Sequence, residues 1–480
     1  MNRKNKMMED PKKSLYSTIY IFIGLFVLLM GYFTYYLLVK SEETVNNAYN
    51  KRQEVLAERV IRGKILSSGG DILAETINTE DGSETRHYPY GDMFAHIVGR
   101  YSKGLTGLEE SENIRLLSID RNSFGNMYND LVGEKNPGDN VVTTLDVNLQ
   151  QTAYDALGDN RGAVIVMEPA TGKILAMVSK PSYDPNEIDT TWDSLVEDED
   201  TESPLLNRAT QGLYPPGSTF KLITTLAYIR RNPDYMGYEY DCEGSIEYNG
   251  MVIHCSNNKV HGEMDLVKSF AKSCNSSFAS IGKDLDINEF RNTSESFLFN
   301  KPLPVAMASN PSIFELKEGS SGVKEKMQTA IGQGKTLMSP LHNIMIAAAA
   351  ANGGVMMRPY VVDRIESASG RMVKGYTPQE YATVMTTGEA DYLKQLMRKV
   401  VTDGTAAELK ELPVAVAGKT GSAEQEDKPA HAWFIGFAPA GTPEIVVSII
   451  VESKGSGSEY AVPIAREIFD AYFNNEKVGN

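Results

Sequence analysis

The sequence predicts an α+β fold, because strand-like runs gather at both ends of a long segment whose middle is dominated by helical patterns. Two apolar runs, residues 164–168 and 173–177, meet at the turn-forming residues 169–172. Two further apolar runs, 432–437 and 445–451, precede a final amphipathic helix at 461–473. We therefore expect one antiparallel sheet that the two ends of this segment build together.

Length and composition set the domain organisation. The chain has 480 residues, which is too long for one compact core, and its 41% hydrophobic and 23% charged residues are ordinary for a folded protein. The net charge of -16 leaves no basic surplus to neutralise phosphates, so the sequence predicts no nucleic acid partner. We predict a cytoplasmic tail at 1–18, a transmembrane anchor at 19–39, a small mixed pedestal domain at 40–140 and the main domain at 141–480.

The predicted anchor is a run of 21 residues, 19–39, without a charged side chain. A helix of that length spans about 30 Å, which is enough for the hydrocarbon core of a bilayer. Basic residues precede it, namely Arg3, Lys4, Lys6, Lys12 and Lys13. Because positive charge stays inside, we expect the N-terminus in the cytoplasm and everything after residue 40 outside. A cleaved signal peptide is the alternative, but the run is too long and no small-x-small site follows it.

The most informative stretch is Ser218-Thr219-Phe220-Lys221, which follows Pro215-Pro216-Gly217 and precedes the apolar run 222–229. Prolines suit the approach to a helix, so Ser218 is predicted at a helix N-terminus, with the Lys221 amine beside its oxygen. A serine hydroxyl needs a neighbour that takes its proton, and the pair is typical of acyl transfer. The same spacing recurs at four other serines, so the context must decide: Ser256, Ser269, Ser280 and Ser321.

Two more elements complete an ordered set. Ser273-Cys274-Asn275 comes next, and Lys419-Thr420-Gly421 follows the strand-like run 414–418. A Ser-x-Asn pattern alone is weak, because it also occurs at Ser111 and Ser256. The order Ser-x-x-Lys, Ser-x-Asn, Lys-Thr-Gly is found in penicillin-binding proteins and class A β-lactamases.

With these motifs the chain resembles a class B penicillin-binding protein, a membrane-anchored peptidoglycan transpeptidase, over most of its length. Shorter matches support the resemblance: Arg62-Gly63, Gly107-Leu108-Glu109, Leu206-Asn207-Arg208-Ala209, His261-Gly262, Gly332-Gln333-Gly334, Ser339-Pro340, Gly404-Thr405-Ala406 and the run 433–439. Two departures are Ser422, where the family usually has Thr, and residues 67–70, where an Asp-Arg-Asn-Gly turn is common. The resemblance implies a five-stranded antiparallel sheet covered by helices, with the active site between the sheet edge and a helical subdomain.

The motifs and the resemblance together assign catalytic roles. Ser218 attacks a carbonyl, and Lys221 takes its proton, for which burial and the nearby Lys419 cation should depress its pKa. Asn275 is expected to hold Lys221 and the substrate amide. Ser273 is expected to relay a proton to the leaving amine.

The strand that carries Lys419 is the predicted substrate-binding strand, along whose edge the substrate adds as a further strand. Gly421 lets the backbones approach, and the hydroxyls of Thr420 and Ser422 suit a substrate carboxylate. The resemblance also implies an oxyanion hole formed by the backbone N–H groups of Ser218 and Ser422.

The resemblance implies the substrates and partners as well: peptidoglycan stem peptides ending in D-Ala-D-Ala, β-lactams as covalent inhibitors, and a membrane-embedded glycan polymerase. The alternative is a hydrolase, either a D,D-carboxypeptidase or a serine β-lactamase. The uncleaved anchor, the extra domain and the lack of a recognisable deacylating glutamate motif argue against a β-lactamase. A non-catalytic β-lactam sensor or division scaffold is a third hypothesis, and it predicts additional transmembrane or signalling segments, which the sequence does not show.

The three cysteines are interpreted from the compartment. Cys242 and Cys255 flank a predicted hairpin with the turn Asn249-Gly250, so a disulfide between them is possible outside the membrane, with free thiols as the alternative. Cys274 is interpreted as a small buried filler. The six histidines show no metal-ligand spacing, so we predict no metal and no cofactor.

Overall fold

The computed structural model describes residues 11–36, 58–119, 129, 131–197 and 202–475. The first helix, α1 (Pro11–Tyr35), contains an apolar span, Leu15–Tyr35, that is long enough to cross a membrane and has no buried part. This span begins four residues before the predicted one, and residues 37–39 lie outside the described part. Arg3, Lys4 and Lys6, which predict its orientation, lie outside it as well. The exposed apolar surface fits a membrane anchor.

The region after the anchor contains short strands and short helices. Its strands are β1 (Val60–Ile61), β2 (Ile65–Leu66), β3 (Ile72–Asn78), β4 (Glu84–His87), β5 (Asn136–Pro137) and β6 (Asn140–Thr143). Its helices are α2 (Ala95–Val98), α3 (Gly107–Ser111) and α4 (Asn113–Leu116).

The rest of the chain contains longer elements. Its helices are α5 (Val147–Leu157), α6 (Ile188–Val196), α7 (Lys221–Arg231), α8 (Leu266–Ala271), α9 (Asn275–Asp284), α10 (Ile287–Ser296), α11 (Val323–Ala330), α12 (Pro340–Ala351), α13 (Thr387–Asp403) and α14 (Gly457–Asn475). Its strands are β7 (Gly162–Met167), β8 (Ile174–Lys180), β9 (Tyr240–Cys242), β10 (Ser245–Tyr248), β11 (Met251–His254), β12 (Gly262–Met264), β13 (Val355–Met357), β14 (Val362–Glu366), β15 (Met372–Gly375), β16 (Glu380–Thr383), β17 (Ala417–Ala423), β18 (His431–Ala438) and β19 (Ile445–Val451).

The main sheet has five strands in the order β17-β18-β19-β7-β8, and every neighbouring pair is antiparallel. Strands from both ends of the segment therefore build one sheet, which confirms the predicted fold class. The inner strands β18, β19 and β7 are buried at every position, because helices cover the sheet. Helices α5 and α14 pack on each other and on the sheet, and α12 crosses β18, β19 and β7. Strand β17 is left at the edge.

Helix α12 is the buried helix of this layer, and all of its residues are buried. Ser339 caps it by accepting a hydrogen bond from the His342 N–H, and Pro340 occupies its first turn. The run of alanines that follows has high helix propensity and lets the helix approach the sheet closely.

A second sheet has six strands in the order β15-β14-β6-β2-β3-β4. Four of them belong to residues 58–143, which follow the anchor and are called the membrane-proximal part below. Strands β14 and β15 come from residues 362–375, far along the chain; β14 pairs with β6, and β15 pairs with β14. The sheet thus crosses the predicted boundary at residue 140, because residues remote in sequence complete it. The domain boundaries stay a prediction.

The membrane-proximal part is held by a buried ion cluster around Glu109, which is fully buried. Arg62 Nε donates to one carboxylate oxygen at 2.6 Å and Arg86 Nε to the other at 2.7 Å. Burial alone would raise the pKa of Glu109, but the two guanidinium charges hold that pKa below its usual value. Two motifs quoted separately from the sequence, at Arg62 and at Glu109, are therefore one structural unit.

Candidate active site

Ser218 lies in a tight 3₁₀ turn, Gly217–Phe220, that leads directly into α7. The sequence predicted a helix N-terminus here, and the structure places a 3₁₀ turn at its start. Gly217 has a φ of +53°, and a Cβ at this position would lie 2.8 Å from the carbonyl oxygen of Ser422. The glycine therefore permits the close approach of the serine turn to the edge strand β17.

The segment before the serine is anchored by groups that the motif search missed. Trp433 Nε1 donates to the carbonyl oxygen of Pro215 at 3.0 Å. The Tyr214 hydroxyl donates to Glu452 at 2.7 Å, and Arg208 Nε donates to the same carboxylate oxygen at 2.8 Å. In the sequence, Arg208 and Trp433 belong only to short runs that resemble the family, 206–209 and 433–439. No spacing pattern links either residue to Ser218.

Lys221 is fully buried at the start of α7. Its Nζ donates to the carbonyl oxygen of Ser273 at 2.8 Å and to Asn275 Oδ1 at 2.8 Å. The Ser273 hydroxyl lies 3.4 Å from the same amine. Among the hydrogen bonds of the described residues, none joins Lys221 to the Ser218 hydroxyl, and catalytic hydrogen bonds are often long before substrate binds. The first two motifs therefore meet at the lysine amine.

Lys419 brings the third motif to the same place. It is fully buried in β17, and its Nζ donates to Ser273 Oγ at 2.8 Å and to the carbonyl oxygen of Thr420 at 2.9 Å. Ser273 itself adopts a φ of +56°, which is uncommon for a residue other than glycine. This backbone conformation directs the serine toward the two amines and fits a strained functional position.

Both amines have pKa values below that of an ordinary lysine. Burial lowers the pKa of Lys221 to about 8. Burial and then the charge of Lys221 lower the pKa of Lys419. The sequence predicted that burial and the Lys419 cation would both lower the pKa of Lys221; in the structure burial lowers it, whereas the repulsion between the two amines lowers the pKa of Lys419. A lysine amine that is neutral near physiological pH can act as a base.

The predicted substrate strand is the edge of the main sheet. Thr420 is nearly buried, and its hydroxyl bonds with that of Thr405, a residue outside the predicted site. Ser422 is exposed, and its hydroxyl accepts a hydrogen bond from the Gly457 N–H at 3.3 Å. A Cβ at Gly421 would lie 3.2 Å from the carbonyl oxygen of Pro216, so this strand lies against the segment that precedes Ser218. The binding and oxyanion roles of these groups stay predictions.

The four competing Ser-x-x-Lys spacings lack a buried lysine. Their lysines are exposed or half-buried: Lys259, Lys272, Lys283 and Lys324. Burial is what lowers the pKa of a lysine amine far enough for it to act as a base. The structure therefore favours Ser218 over the other serines.

The predicted hairpin forms, with Tyr248 paired with Met251 around Asn249-Gly250. Cys242 and Cys255 are free cysteines whose sulfur atoms lie 3.7 Å apart. No disulfide joins them in this structure.

Comparisons with known proteins agree with this geometry. Residues 162–470 match the family model described as the penicillin binding protein transpeptidase domain, and residues 62–141 match the penicillin binding protein A dimerisation domain. The chain belongs to the penicillin-binding protein transpeptidase family.

Named relatives and solved structures support the assignment. The peptidoglycan D,D-transpeptidase PbpA of Mycolicibacterium smegmatis is 33% identical over 87% of this chain and 90% of its own length. The penicillin G acyl-enzyme complex of penicillin-binding protein A from M. tuberculosis has a TM-score of 0.78 and 31% identity, over 86% of this chain and 99% of its own. A D,D-transpeptidase domain from Eggerthella lenta has a TM-score of 0.79 and 29% identity, over 88% of this chain and 100% of its own.

Proposed function

We propose that this protein is a peptidoglycan D,D-transpeptidase that crosslinks stem peptides through an acyl-enzyme on Ser218 and is acylated by β-lactams. One observation carries the proposal: two buried lysines from separate motifs, Lys221 and Lys419, bond to Ser273. Lys221 is the partner of Ser218, and the lysines of the other four candidate serines are not buried. The relatives named as D,D-transpeptidases and the acyl-enzyme structures support the same chemistry.

Acylation begins with a substrate strand laid along the exposed edge of β17. Neutral Lys221 accepts the hydroxyl proton as Ser218 Oγ attacks the carbonyl carbon of the penultimate D-Ala. The backbone N–H groups of Ser218 and Ser422 would stabilise the tetrahedral oxyanion, each donor contributing about 3 to 4 kcal/mol. Collapse breaks the amide bond, and the proton passes through Ser273 to the departing D-Ala amine.

Transfer reverses these steps with a second stem peptide. Its amine attacks the ester carbonyl, the new amide bond forms, and the Ser218 oxygen leaves and regains a proton. Positive charge at Lys419, when present, suits the terminal carboxylate of the donor peptide, as do the hydroxyls of Thr420 and Ser422. Gly421 leaves room for the backbone of that peptide.

A hydrolase, either a D,D-carboxypeptidase or a serine β-lactamase, is the alternative. Hydrolysis needs a base that activates water at the ester. Within the described residues, the side-chain hydrogen bonds of Lys221, Ser273, Asn275 and Lys419 include none to a carboxylate. This environment favours transfer over fast hydrolysis.

We also propose a membrane topology and a partner. The apolar helix α1 would hold the N-terminus in the cytoplasm and the catalytic domain outside, with a pedestal at 40–140 between them and a membrane-embedded glycan polymerase supplying the strands. Ser41→Cys should react with an impermeant maleimide from outside intact cells, whereas Asn5→Cys should not. The reverse labelling pattern would overturn this topology.

The test of function uses the purified chain in detergent. A fluorescent penicillin should label it covalently, and peptide mapping should place the adduct on Ser218. With a glycan polymerase and lipid-linked precursor, crosslinked stem peptides should appear with the native chain and be absent with Ser218→Ala. An adduct on another serine, or D-Ala release without crosslinks in the presence of acceptor, would overturn the proposal.

A further inference from the structure

A second cluster of chemically active side chains lies beside the active site, away from the reacting serine. It consists of Cys242, Cys255, Cys274 and His261, whose ligand atoms all lie within 4.8 Å of one another. The three cysteines are buried and His261 is half-buried. Sequence spacing missed this cluster, because three separate segments bring the four side chains together.

Three of the six separations between these atoms are close to the edges of a metal-centred tetrahedron. Cys255 Sγ lies 3.7 Å from Cys242 Sγ and 3.6 Å from Cys274 Sγ. His261 Nδ1 lies 3.3 Å from Cys242 Sγ. A tetrahedral zinc ion with Zn–S bonds of about 2.3 Å separates its sulfur ligands by about 3.8 Å, and a sulfur from a nitrogen by about 3.5 Å.

We propose that these three cysteines and His261 bind one structural zinc ion. Three thiolates and one imidazole form a ligand set that selects zinc, and four protein ligands close the site to water, as in structural rather than catalytic centres. The donor set therefore differs from anything that the acyl-transfer chemistry requires.

The surrounding architecture explains why a metal would be needed here. Residues 240–264 form two short ribbons, β9 with β12 and β10 with β11, that stand outside the main sheet. Ile253 of β11 belongs to the main core, whereas the separate buried cluster between the β9–β12 ribbon and the start of α9 consists, among the described residues, of Met264 and the three cysteines. So small an apolar cluster contributes little stability, and small modules of this kind are commonly stapled by a metal.

The neighbouring contacts fit bound thiolates. Cys274 is the N-cap of α9, and its sulfur accepts a hydrogen bond from the Ser277 N–H at 3.4 Å. The free N–H groups at a helix N-terminus favour a negative ligand. The Ser276 hydroxyl lies 3.1 to 3.4 Å from all three sulfurs and can donate to one of them. Such outer contacts orient metal ligands.

The site also connects to the catalytic lysine. Asn275 follows Cys274, and its side-chain amide donates to the carbonyl oxygen of His254 at 3.0 Å. Its oxygen accepts from Lys221 at 2.8 Å. Zinc would therefore fix the hairpin and the start of α9 on either side of the residue that holds Lys221. This step rests on the proposed function, whereas metal binding does not.

The test measures metal directly on the full chain, purified without a histidine tag from cells supplied with zinc. We expect about one zinc per chain, released by a mercurial reagent that attacks thiolates. Cys255→Ser and His261→Ala should lose the metal, whereas His261→Cys should keep it by supplying a fourth thiolate. His254→Ala is the matched control, because this exposed histidine lies next to a ligand but outside the cluster and should leave the zinc content unchanged.

Two further measurements use the native chain, so they test the zinc site even if a variant fails to fold. Native chain stripped with a chelator and refilled with Co²⁺ should show the visible absorption of tetrahedral cobalt thiolate, and stripping should lower Tm. The stripped chain should also acylate at least about tenfold more slowly, since displacement of a positioning group by 1 Å can cost about a hundredfold in rate.

A Cys242–Cys255 disulfide in the native chain, three free thiols without metal, or zinc retained equally by His261→Ala would each overturn the zinc site. Those results would leave the transpeptidase proposal untouched, because metal content is measured without substrate. Conversely, stoichiometric zinc in a chain that forms no acyl-enzyme would support the metal site and count against the proposed function.

Discussion

Lys221 and Lys419 meet at one hydroxyl, because their Nζ atoms lie 3.4 Å and 2.8 Å from Ser273 Oγ. Two ammonium groups so close repel each other, and burial removes the water that would screen them. The pair therefore loses a proton at a lower pH than two isolated lysines would. With one amine neutral, the hydroxyl can accept a hydrogen bond from one lysine and donate to the other, which is the arrangement that a proton relay requires.

The first prediction is the pH dependence of acylation. Lys221 acts as a base only when neutral, and its pKa is about 8. The rate constant for labelling by a penicillin should therefore rise about tenfold per pH unit below pH 8 and level off above it. Labelling reactions quenched at successive times, from pH 5.5 to 9.5, measure the rate constant at each pH. Circular dichroism verifies that the protein is folded at each pH. A rate that is flat or falls across this range would show that Lys221 is not the base.

The second prediction concerns the nucleophile. Ser218→Ala should abolish covalent labelling and change Tm little, because the hydroxyl makes no hydrogen bond within the described residues that the variant would lose. Ser280→Ala is a matched control, since Ser280 has the same Ser-x-x-Lys spacing without a buried lysine, and it should keep full labelling. Label that persists in Ser218→Ala but vanishes in the control would reverse the assignment.

The third prediction tests the shared hydroxyl. Ser273→Ala leaves Ser218 and both lysines in place. It should slow acylation about 10²- to 10⁴-fold, which is the usual contribution of one acid–base group. Ser273→Thr restores a hydroxyl and should recover part of the rate. Penicillin labelling kinetics measure both variants. Equal rates for the alanine variant and the native chain would exclude a relay through this residue.

Much of this site could be predicted from the sequence, because its three motifs are short and contiguous. Ser218 with Lys221 requires only a helical spacing, and Lys419 follows a run typical of a strand. Other parts depend on contacts between distant residues. Glu452 orients Tyr214 from the far end of the chain, and no local pattern marks it.

The fold shows the same division. Alternating and apolar runs predict the strands of the main sheet, because the burial of each strand requires apolar residues in its own local sequence. They could not predict that β14 and β15 complete the membrane-proximal sheet, because strand pairing between distant segments leaves no local signature. The grouping of Cys242 with His261 and Cys274 was hidden for the same reason.

The fourth prediction concerns stability in the membrane-proximal part. Glu109→Gln leaves Arg62 and Arg86 buried without a countercharge and should lower the free energy of unfolding by about 3 to 5 kcal/mol. Glu289→Gln removes an exposed ion pair with Arg231 and should cost at most about 1 kcal/mol. Urea unfolding followed by fluorescence compares the two. Similar small losses in both variants would show that the buried cluster contributes no more than a surface pair.

The same carboxylate gives the stability a pH dependence. The folded-state pKa of Glu109 lies below its unfolded value of 4.5, so its contribution is complete above that pH and is lost as the pH falls toward the folded pKa. The native chain should therefore lose stability on acidification below about pH 4.5, more steeply than Glu109→Gln does. Parallel slopes for the two proteins would assign the acid sensitivity to other carboxylates.

The last prediction separates the transpeptidase from the hydrolase. A transpeptidase must keep its acyl group until a second stem peptide arrives. In the part of the chain that the structure describes, the groups hydrogen-bonded to Lys221 and Ser273 include no carboxylate that could activate water. A β-lactam should therefore give one stoichiometric burst of acylation followed by very slow turnover. Intact-mass spectrometry should show the adduct for many minutes, with Ser218→Ala as the unlabelled control. Rapid steady hydrolysis of the β-lactam, with no adduct detectable by mass, would instead identify a hydrolase, because the ester would then be reaching an activated water faster than an acceptor amine could.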